Sequence, residues 1–488
     1  MIERNSPALV ALLSLLVWSC ASGAAAPQTS PKLVPSPPTP KTPSRPNIVI
    51  LVADDLGWAD VGYQGATTAT PNIDRLSRQG VRLSSFHVTP LCSPTRAGLM
   101  TGRWPIRYGM GDSVITPWRR FGLPTTEHTL ADLLAKAGYQ RRGIFGKWHL
   151  GHYEQRFLPL NRGFTRFYGH YNGHIDYFTH ERDGERDWHL DFATSRDEGY
   201  ATDLIGREAA AFVAASPKDE PFFLYVPFNA PHSPVQAKPE DVARYAHIAD
   251  ADRRTYAAMV DSLDKAVGVV LEALDAKGVG DNTFVLFFSD NGAVPKYGAN
   301  TPWRGDKGSV YEGGVRVPAV VRWPAGFGGG REVQALMGFI DVYPTVKRIA
   351  GLTGPDPNPL DGVDMLDVIR GAAPAPARDW FSYIAQGSPE AAAIQDGAWK
   401  LVVRGGSVLE ATIEGAGKKD GANSRSVELF RLDRDPGETT NLVAEHPDVA
   451  TRLLERLQGF RRFRMDGAPD FREGSEGFKP PKEWMIAK

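Results

Sequence analysis

Two acidic pairs in the sequence have the residue types of a metal site. Asp54-Asp55 follows an apolar run at residues 47–52, and Asp290-Asn291 follows a second apolar run at residues 283–288. Both runs predict buried strands, and parallel strands bring ligand-binding residues together beyond their carboxyl ends. Carboxylate and amide oxygens favour Ca²⁺ or Mg²⁺ over Zn²⁺. Taken alone, each pair is also typical of side chains that cap helices or turns.

Cys92 offers a second kind of chemistry. It lies in the segment Leu91-Cys92-Ser93-Pro94-Thr95-Arg96, where the nearby guanidinium could lower the pKa of the thiol. A cysteine nucleophile would also need a histidine partner. A core cysteine is the alternative, because free cysteines are often buried. Cys20 is the only other cysteine, so a scaffold built on disulfides is excluded.

Strands and helices alternate along the part of the chain that carries these residues. A third apolar run at residues 222–226 predicts another buried strand, and helical patterns occupy residues 72–79, 130–137, 200–215 and 253–276. This alternation predicts an α/β fold in which helices flank a large, mostly parallel sheet. Such a sheet would place both acidic pairs at one edge.

The last part of the chain has a different pattern. A linker of small residues and prolines occupies residues 371–378. Beyond it, residues 399–403 and 427–432 predict antiparallel strands, and residues 447–463 predict one amphipathic helix. We therefore expect a smaller α+β subdomain with a short antiparallel sheet. No internal repeat is visible.

Composition limits the function classes. The chain has 488 residues, of which 42% are hydrophobic, so it can bury a sizeable core. The 56 basic residues and 57 acidic residues give a formal net charge of -1. This balance argues against a general nucleic-acid binder, which would be basic, but allows a local basic pocket for a small anion.

The first residues are typical of an export signal. Arg4 precedes an apolar run at residues 8–18, which is too short to span a bilayer. The run ends at Ser19-Cys20, which resembles a bacterial lipoprotein cleavage site, whereas the Ala24-Ala25-Ala26 pattern suits ordinary cleavage. Residues 21–46 are rich in Pro, Ser and Thr and predict an extended tether. We expect an exported protein, periplasmic, cell-surface or extracellular, with a membrane tether through Cys20 if that residue is lipidated.

These patterns divide the chain into four parts. The predicted parts are a signal peptide at residues 1–20, a linker at 21–46, a catalytic domain at 47–372 and a C-terminal subdomain at 378–488.

The segment around Cys92 resembles the signature of a known family. Cys-x-Pro-x-Arg at residues 92–96, followed by Thr101-Gly102-Arg103, is similar to the motif of the type I, formylglycine-dependent sulfatases. Residues 429–438 also resemble the C-terminal region of that family, so the resemblance covers nearly all of the chain beyond the linker. Other family motifs are matched, in family order, by Asp54-Asp55, Gly146-Lys147-Trp148-His149, Pro231-His232-Ser233-Pro234, Asp290-Asn291-Gly292 and Gly305-Asp306-Lys307-Gly308.

The resemblance implies an alkaline-phosphatase-like fold and a sulfuric ester hydrolase. It implies that a formylglycine-generating enzyme converts Cys92 to formylglycine, whose hydrate attacks sulfur and forms a covalent sulfo-enzyme. The implied cofactor is Ca²⁺, with Mg²⁺ as the alternative. The implied metal ligands are Asp54, Asp55, Asp290, Asn291 and the modified residue 92.

The resemblance also implies roles for the basic residues. Lys147 and Lys307 would hold the sulfate oxygens, and His232 or Lys307 would protonate the leaving alcohol. His149 would be the base or the hydrogen-bond partner of the nucleophile, and Arg96 would hold the nucleophile loop. Taken singly, Lys147 and Lys307 are equally typical of solvated surface lysines. In the same way, His232 is typical of a rigid turn between two prolines, and His149 of a half-buried histidine.

The implied substrate is a sulfated carbohydrate. Residues 158–182 resemble the arylsulfatase B-like branch, the N-acetylgalactosamine-4-sulfatases. Aromatic residues with interspersed His and Asp suit contacts with sugar rings, although the same loop could simply pack on the core. The candidate substrate contacts are His174, Asp176, His180, Trp303 and Arg304.

Two other functions fit parts of the sequence. One is a phosphodiester or phosphonate monoester hydrolase on the same fold, because fold alone does not decide the anion. The Lys147, His232 and Lys307 segments favour sulfate over this alternative. The second is a catalytically silent glycan-binding lipoprotein, which an unmodified Cys92 would favour.

Overall fold

The structure, a computed structural model, describes residues 45–386, 390–411, 425–467, 470 and 472–486. The predicted signal peptide with Cys20, and most of the predicted linker, lie outside these ranges. The described residues belong to one compact unit, and the division of this body at residues 372–378 stays a prediction. Within the described ranges, no helix is both long and apolar enough to cross a bilayer.

The strands are numbered in chain order. They are β1 (Asn47–Ala53), β2 (Val81–Leu83), β3 (Phe86–His87), β4 (Arg141–Lys147), β5 (Arg166–His170), β6 (Glu181–Arg182), β7 (Glu185–Arg186), β8 (His189–Leu190), β9 (Ala193–Thr194), β10 (Phe222–Pro227), β11 (Thr283–Ser289), β12 (Ala319–Arg322), β13 (Arg331–Val333), β14 (Met337–Gly338), β15 (Asp379–Ile384), β16 (Ala391–Asp396), β17 (Trp399–Arg404) and β18 (Ser426–Arg431).

The α-helices are numbered in the same way. They are α1 (Pro71–Gln79), α2 (Cys92–Thr101), α3 (Leu130–Lys136), α4 (Ala201–Ala215), α5 (Pro239–Arg244), α6 (Ala251–Lys277), α7 (Glu312–Val315), α8 (Val342–Ile349), α9 (Leu366–Arg370) and α10 (Pro447–Gly459).

The three apolar runs form neighbouring parallel strands at the centre of a ten-stranded sheet, as predicted. The strand order is β13-β2-β12-β11-β1-β10-β4-β5-β8-β9, and β11, β1, β10, β4 and β5 run parallel. All seven residues of β1 are buried. They alternate between two apolar clusters, because Ile48, Ile50 and Val52 face one side of the sheet while Val49 and Leu51 face the other. Helices on both sides therefore cover the sheet.

The four predicted helices in this region are confirmed within two residues at each end. The longest, α6, begins after Asp250, whose carboxylate accepts a hydrogen bond from the N–H of Arg253. It ends at Gly278, whose φ of 68° is the left-handed conformation that glycine adopts easily at a helix end. Together with the sheet, these helices confirm the predicted α/β fold.

A second, smaller sheet lies in the C-terminal part. The order β15-β16-β17-β18 is antiparallel throughout, as the runs at residues 399–403 and 427–432 predict. The helical segment predicted at residues 447–463 is α10 followed by a 3₁₀ turn at Phe460–Phe463.

A buried ionic network joins the small sheet to the part of the chain that carries the large sheet. Lys400 of β17 lies 2.8 Å from a carboxylate oxygen of Glu312 and 3.0 Å from one of Glu438. The backbone N–H of Glu312 also donates to Glu438, at 2.7 Å. His87 Nε2 lies 3.1 Å from the Glu312 carboxylate. These carboxylates are almost fully buried, so the Lys400 ammonium group is needed to balance them.

Replacing this lysine should be strongly destabilising. Lys400→Met removes the ammonium but keeps most of the volume, and it takes from two buried carboxylates the lysine that they share. We expect a loss of about 3–5 kcal/mol in the free energy of unfolding, because breaking a buried ion pair strands a charge. Urea unfolding measures this loss. Lys296→Met is the control, because this exposed lysine pairs with Asp252 at the surface and its removal should leave the midpoint unchanged.

Candidate active site

The two acidic pairs meet at the carboxyl end of the sheet, as their positions after strands predict. In the parallel pair β1–β11, Ala53 lies opposite Ser289, so Asp54 and Asp290 follow directly. The N–H of Asp290 donates to the carbonyl of Ala53 at 3.0 Å. All four side chains of the acidic pairs are buried.

Two oxygens of this cluster lack hydrogen-bond partners among the described residues. They are Oδ1 of Asp54 and Oδ1 of Asn291. The Asn291 amide nitrogen donates to Asp55 Oδ1 at 2.7 Å, which leaves the Asn291 oxygen free to bind an ion. Ligand atoms of Asp54, Asp290 and residue 92 lie within 4.8 Å of one another. Because buried oxygens without partners are costly, the cluster fits a hard divalent cation.

Three cations hold the carboxylates of the cluster. Arg96 donates to Asp290 Oδ2 through Nε at 2.9 Å, and its Nη2 lies 2.7 Å from the same oxygen. Lys147 Nζ donates to Asp54 Oδ2 at 2.6 Å. The third cation, Lys307, lies 2.7 Å from one Asp55 oxygen and 2.9 Å from the other.

The pKa values of the cluster reflect burial and these charges. Burial, together with the neighbouring Asp54 carboxylate, raises the pKa of Asp290 to about 6. Burial also opposes ionisation of Asp55, yet Lys307 and His232 hold the pKa of that carboxyl well below its usual range. One carboxyl that is hard to ionise beside one that ionises easily is typical of crowded acidic sites.

Cys92 lies at the first turn of α2 and faces a histidine. Its Sγ is 3.3 Å from His149 Nδ1. The other ring nitrogen of His149, Nε2, is 2.9 Å from the carbonyl oxygen of Ile115, which can only accept. Nε2 therefore carries the proton, and the lone pair of Nδ1 points at residue 92.

Neither group of this pair is charged in the unmodified chain. Burial lowers the pKa of His149 well below its usual value, and the neighbouring Lys147 lowers it further. Burial also raises the pKa of the Cys92 thiol. Unmodified Cys92 is thus a protonated thiol that donates to His149, which is a poor state for a thiolate nucleophile.

Two residues of the site have backbones that non-glycine residues rarely adopt. Asp55 has a φ of 64° and His149 a φ of 56°. Both lie in the left-handed region, where a Cβ costs conformational energy. The surrounding hydrogen bonds hold them there, and such strain is common where side chains must be aimed at a ligand.

His232 and His174 form the more open side of the cluster. His232 Nε2 lies 3.6 Å from Asp55 Oδ2, and its Nδ1 donates to the carbonyl of Ser233 at 2.5 Å. Burial, with the charge of Lys307, lowers the pKa of His232 to about 3. The His174 ring stacks on it at a centroid distance of 5.6 Å.

The other candidate substrate contacts have structural partners. Asp176 accepts hydrogen bonds from the backbone of Phe178 and Thr179, and so closes a turn. His180 is fully buried and stacks on Trp188 at 4.5 Å. The structure therefore brings His174 to the cluster but not Asp176 or His180.

Trp303 and Arg304 precede Lys307 but turn away from the carboxylates. Trp303 packs edge-on against Trp58 at 5.4 Å. Arg304 donates to the carbonyl of Glu438 at 2.7 Å, and its guanidinium lies 4.0 Å above the Tyr311 ring. Both residues help to fix the loop that carries Lys307.

Three supporting residues were not predicted. Ser93 Oγ donates to the carbonyl of His149 at 2.9 Å and so joins the Cys92 helix to the histidine. Tyr177 OH lies 2.6 Å from the Asn229 carbonyl oxygen and 2.8 Å from that of His232. The guanidinium of Arg182 contacts His174 Nε2. Ser93 adjoins the Cys92 motif, and the other two lie in the aromatic stretch, but no sequence pattern marks their partners.

Comparison with known proteins identifies the family. The sulfatase family model matches residues 46–352, which include every residue of the cluster described above. The chain belongs to the sulfatase family. This membership, with the arylsulfatase relatives below, confirms the predicted type I sulfatase family and makes the chain an enzyme that hydrolyses sulfate esters.

The relatives of this sulfatase include mammalian enzymes. Arylsulfatase J of Mus musculus is 32% identical over 456 residues, which cover 86% of this chain and 76% of that protein. N-acetylgalactosamine-6-sulfatase of Mus musculus is 37% identical over 351 residues, or 66% of each chain. Both are sulfatases, and the narrower assignment to the N-acetylgalactosamine-4-sulfatase branch stays a prediction.

Solved structures support the fold. The crystal structure of Ps i-CgsB has a TM-score of 0.79 at 31% identity, over 89% of this chain and 96% of that one, and the same protein is also known in complex with k-i-k-neocarrahexaose. The phosphonate monoester hydrolase of Agrobacterium radiobacter has a TM-score of 0.58 at 21% identity, which is a likeness of fold alone.

Proposed function

We propose that this sulfatase hydrolyses sulfate esters of carbohydrates with a formylglycine nucleophile at position 92. One observation carries the proposal. Residue 92 lies between the lone pair of His149 and a carboxylate cluster that fits a divalent cation, with two lysines on that cluster. The relative N-acetylgalactosamine-6-sulfatase supports glycans with sulfated N-acetylgalactosamine as the first substrates to test, with the 6-sulfate tested beside the 4-sulfate that the sequence predicts.

Two groups complete the chemistry of the proposed site. We assign Ca²⁺ to Asp54, Asp55, Asp290 and Asn291, with residue 92 as the remaining ligand, because an irregular oxygen set suits Ca²⁺ better than Mg²⁺. The ion would polarise the sulfate, and formylglycine hydrate would supply a hydroxyl nucleophile at position 92.

The charges of the chain suit an anionic substrate. Asp54, Asp55 and Asp290 are balanced by three cations in direct contact with them. A bound divalent cation therefore leaves the site with excess positive charge where a sulfate ester would lie. Lys147 and Lys307 would donate to the sulfate oxygens and stabilise the charge that develops on them during cleavage of the ester bond.

The histidines handle protons in the proposed mechanism. His149 Nδ1 accepts the proton from the hydroxyl on residue 92, because Nε2 is already committed to the Ile115 carbonyl. The leaving alcohol would receive its proton from His232 or Lys307, the two groups that lie against Asp55. Lys307 is the better supported donor, because the lowered pKa of His232 leaves that ring neutral, with its proton on Nδ1 toward Ser233. Arg96 fixes Asp290 and does not need to contact the substrate.

We also propose that the enzyme is exported and needs a maturation enzyme. The apolar run at residues 8–18 with Ser19-Cys20 supports export and a lipid tether through Cys20, although both lie outside the described residues. Conversion of Cys92 would require a formylglycine-generating enzyme in the host.

A comparison of two aryl substrates tests the proposed reaction. We expect kcat/KM for 4-nitrophenyl sulfate to exceed that for bis(4-nitrophenyl) phosphate by at least about tenfold, because the diester carries a second aryl group in place of one of the oxygens that Lys147 and Lys307 would hold. The protein should be isolated from its native host so that residue 92 is processed. Faster turnover of the phosphodiester would favour the phosphodiester or phosphonate hydrolase instead. Binding of glycans without turnover of either substrate would favour the catalytically silent lipoprotein.

A further inference from the structure

A cleft lies beside the active site, between two loops of the catalytic part and the C-terminal tail. Its volume is about 430 Å³, within the range of small-molecule sites. None of the catalytic groups described above lines it. The side chains that line the cleft include Trp118, Arg120, Tyr153, Phe478, Lys479 and Trp484.

The wall of the cleft is built of aromatic rings in mutual contact. Trp118 meets Phe478 edge-on at 6.4 Å, and Phe478 lies 6.1 Å from Trp484. The Trp484 ring also packs edge-on against the His152 ring, with 5.2 Å between the ring centroids. Tyr153 is different, because 46% of it is exposed and its ring borders the cleft without being part of the core. An exposed ring at the border of an aromatic wall is a surface that a flat apolar face can stack on.

Two short chain segments, residues 115–117 and residues 149–152, connect this cleft to the nucleophile. At one end, Ile115 accepts the hydrogen bond of His149, which faces residue 92. At the other end, the carbonyl of Pro117 lies 3.0 Å from His152 Nε2, at the cleft. His152 follows His149 by three residues, and three residue steps span at most about 11 Å between Cα atoms. The cleft therefore begins within about 11 Å of the histidine that faces residue 92.

The tail makes a second connection, on the side of the open histidines. Trp484 Nε1 donates to the carbonyl of Arg182 at 3.0 Å. The guanidinium of the same Arg182 contacts His174, which stacks on His232. The cleft and the more open side of the active site therefore share the β6–β7 hairpin.

The charge of the cleft suits an anionic glycan. Arg120 lies with its guanidinium 5.4 Å from the centroid of the Tyr153 ring, and Lys479 is exposed at the rim. Glu476 is the one acidic residue among the lining side chains, so the cleft has a net positive charge.

We propose that this cleft binds a second sugar ring of the same sulfated glycan chain whose sulfate ester is cleaved at residue 92. The apolar face of that ring stacks on Tyr153, and Arg120 and Lys479 pair with its acidic groups. This inference rests on the proposed function, since it takes the glycan as the substrate of the active site. Binding of this second ring makes the enzyme selective for oligosaccharides over single sulfated sugars.

The test compares long and short substrates in one variant. Chondroitin sulfate and carrageenan hexasaccharides, and their monosaccharide sulfates, are assayed as competitors of 4-nitrophenyl sulfate hydrolysis. In the wild type, at least one hexasaccharide should bind about tenfold more tightly than its monosaccharide, and Tyr153→Ala should remove this advantage. Hydrolysis of 4-nitrophenyl sulfate itself should be unchanged. Phe192→Ala is the matched control, because Phe192 is 41% exposed and does not line the cleft.

A second variant tests the charge. Arg120→Gln should weaken the hexasaccharide less at high salt than at low salt, because exposed charges are screened. The proposal is overturned if no hexasaccharide binds more tightly than its monosaccharide, or if Tyr153→Ala leaves the advantage intact. Failure of the proposed function would give another result, because 4-nitrophenyl sulfate would then not be hydrolysed at all. In that case the fluorescence of Trp118 and Trp484 would still measure direct binding of the hexasaccharides to the cleft.

Discussion

Cys92→Ala should abolish turnover of sulfate esters. We expect kcat/KM for 4-nitrophenyl sulfate to fall by at least about 10⁴-fold, because loss of a covalent nucleophile removes the reaction path and leaves only binding and charge stabilisation. The replacement is smaller than the buried cysteine and should leave α2 in place. Circular dichroism and the thermal midpoint verify that the fold is kept.

Cys92→Ser separates two parts of the proposed chemistry. Serine keeps one hydroxyl at the first turn of α2, where His149 Nδ1 can accept its proton. It lacks the second hydroxyl with which a formylglycine hydrate would expel sulfate. We therefore expect at most a stoichiometric reaction, after which the protein carries the mass of one sulfo group. Sustained turnover by either variant would contradict a covalent role for residue 92.

Replacing either lysine of the cluster should have the second largest effect. For Lys147→Met and Lys307→Met we expect kcat to fall by about 10²–10³-fold, because each removes one donor aimed at the charge that develops on the sulfate. KM should change less than kcat if the contact strengthens in the transition state. Methionine keeps most of the volume, which matters because Lys147 is fully buried.

The control for this pair is a lysine that also contacts aspartate carboxylates but lies on the surface. Lys265 pairs with Asp241 at 2.9 Å and with Asp261 at 3.4 Å on the outer side of α6. Lys265→Met should leave kcat unchanged. If Lys147→Met or Lys307→Met also retained the wild-type kcat, the two lysines would be structural counterions of the carboxylates and nothing more.

The central strands and the metal cluster could be predicted from the sequence because both follow local rules. Residues 47–52 and 283–288 are continuous apolar runs, and such runs are buried on both faces of a parallel sheet. Once two strands are neighbours in register, the residues after them must meet. Asp54 and Asp290 therefore needed no tertiary information beyond strand pairing.

Two elements that carry catalytic residues could not be predicted. The strand β4 contains two arginines and two glycines, so it lacks the apolar run of a buried strand, yet it positions Lys147. The helix α2 contains Pro94 and Gly98 and is buried on every side, so it has no amphipathic stripe. Only the family motif, not periodicity, indicated that Cys92 was important.

Side-chain direction limited the prediction of substrate contacts. His174 and His180 lie in the same aromatic stretch, but the chain turns between them. One ring stacks on His232 and the other on Trp188. The composition of this loop indicated that it is rich in aromatic, His and Asp side chains. Which of them face the site depends on the packing of Trp188 and the hydrogen bonds of Asp176. The cleft at Tyr153 could not be predicted from the sequence either, because it forms only when the C-terminal tail packs on distant loops.

The state of residue 92 is the most direct test of the account. Mass spectrometry of the tryptic peptide Leu83–Arg96, from protein made in the native host, measures it. We expect the mass of an aldehyde or of its hydrate in place of the thiol at residue 92. An intact thiol in all of the protein would contradict the formylglycine mechanism and would favour a glycan-binding protein with a metal site but no nucleophile.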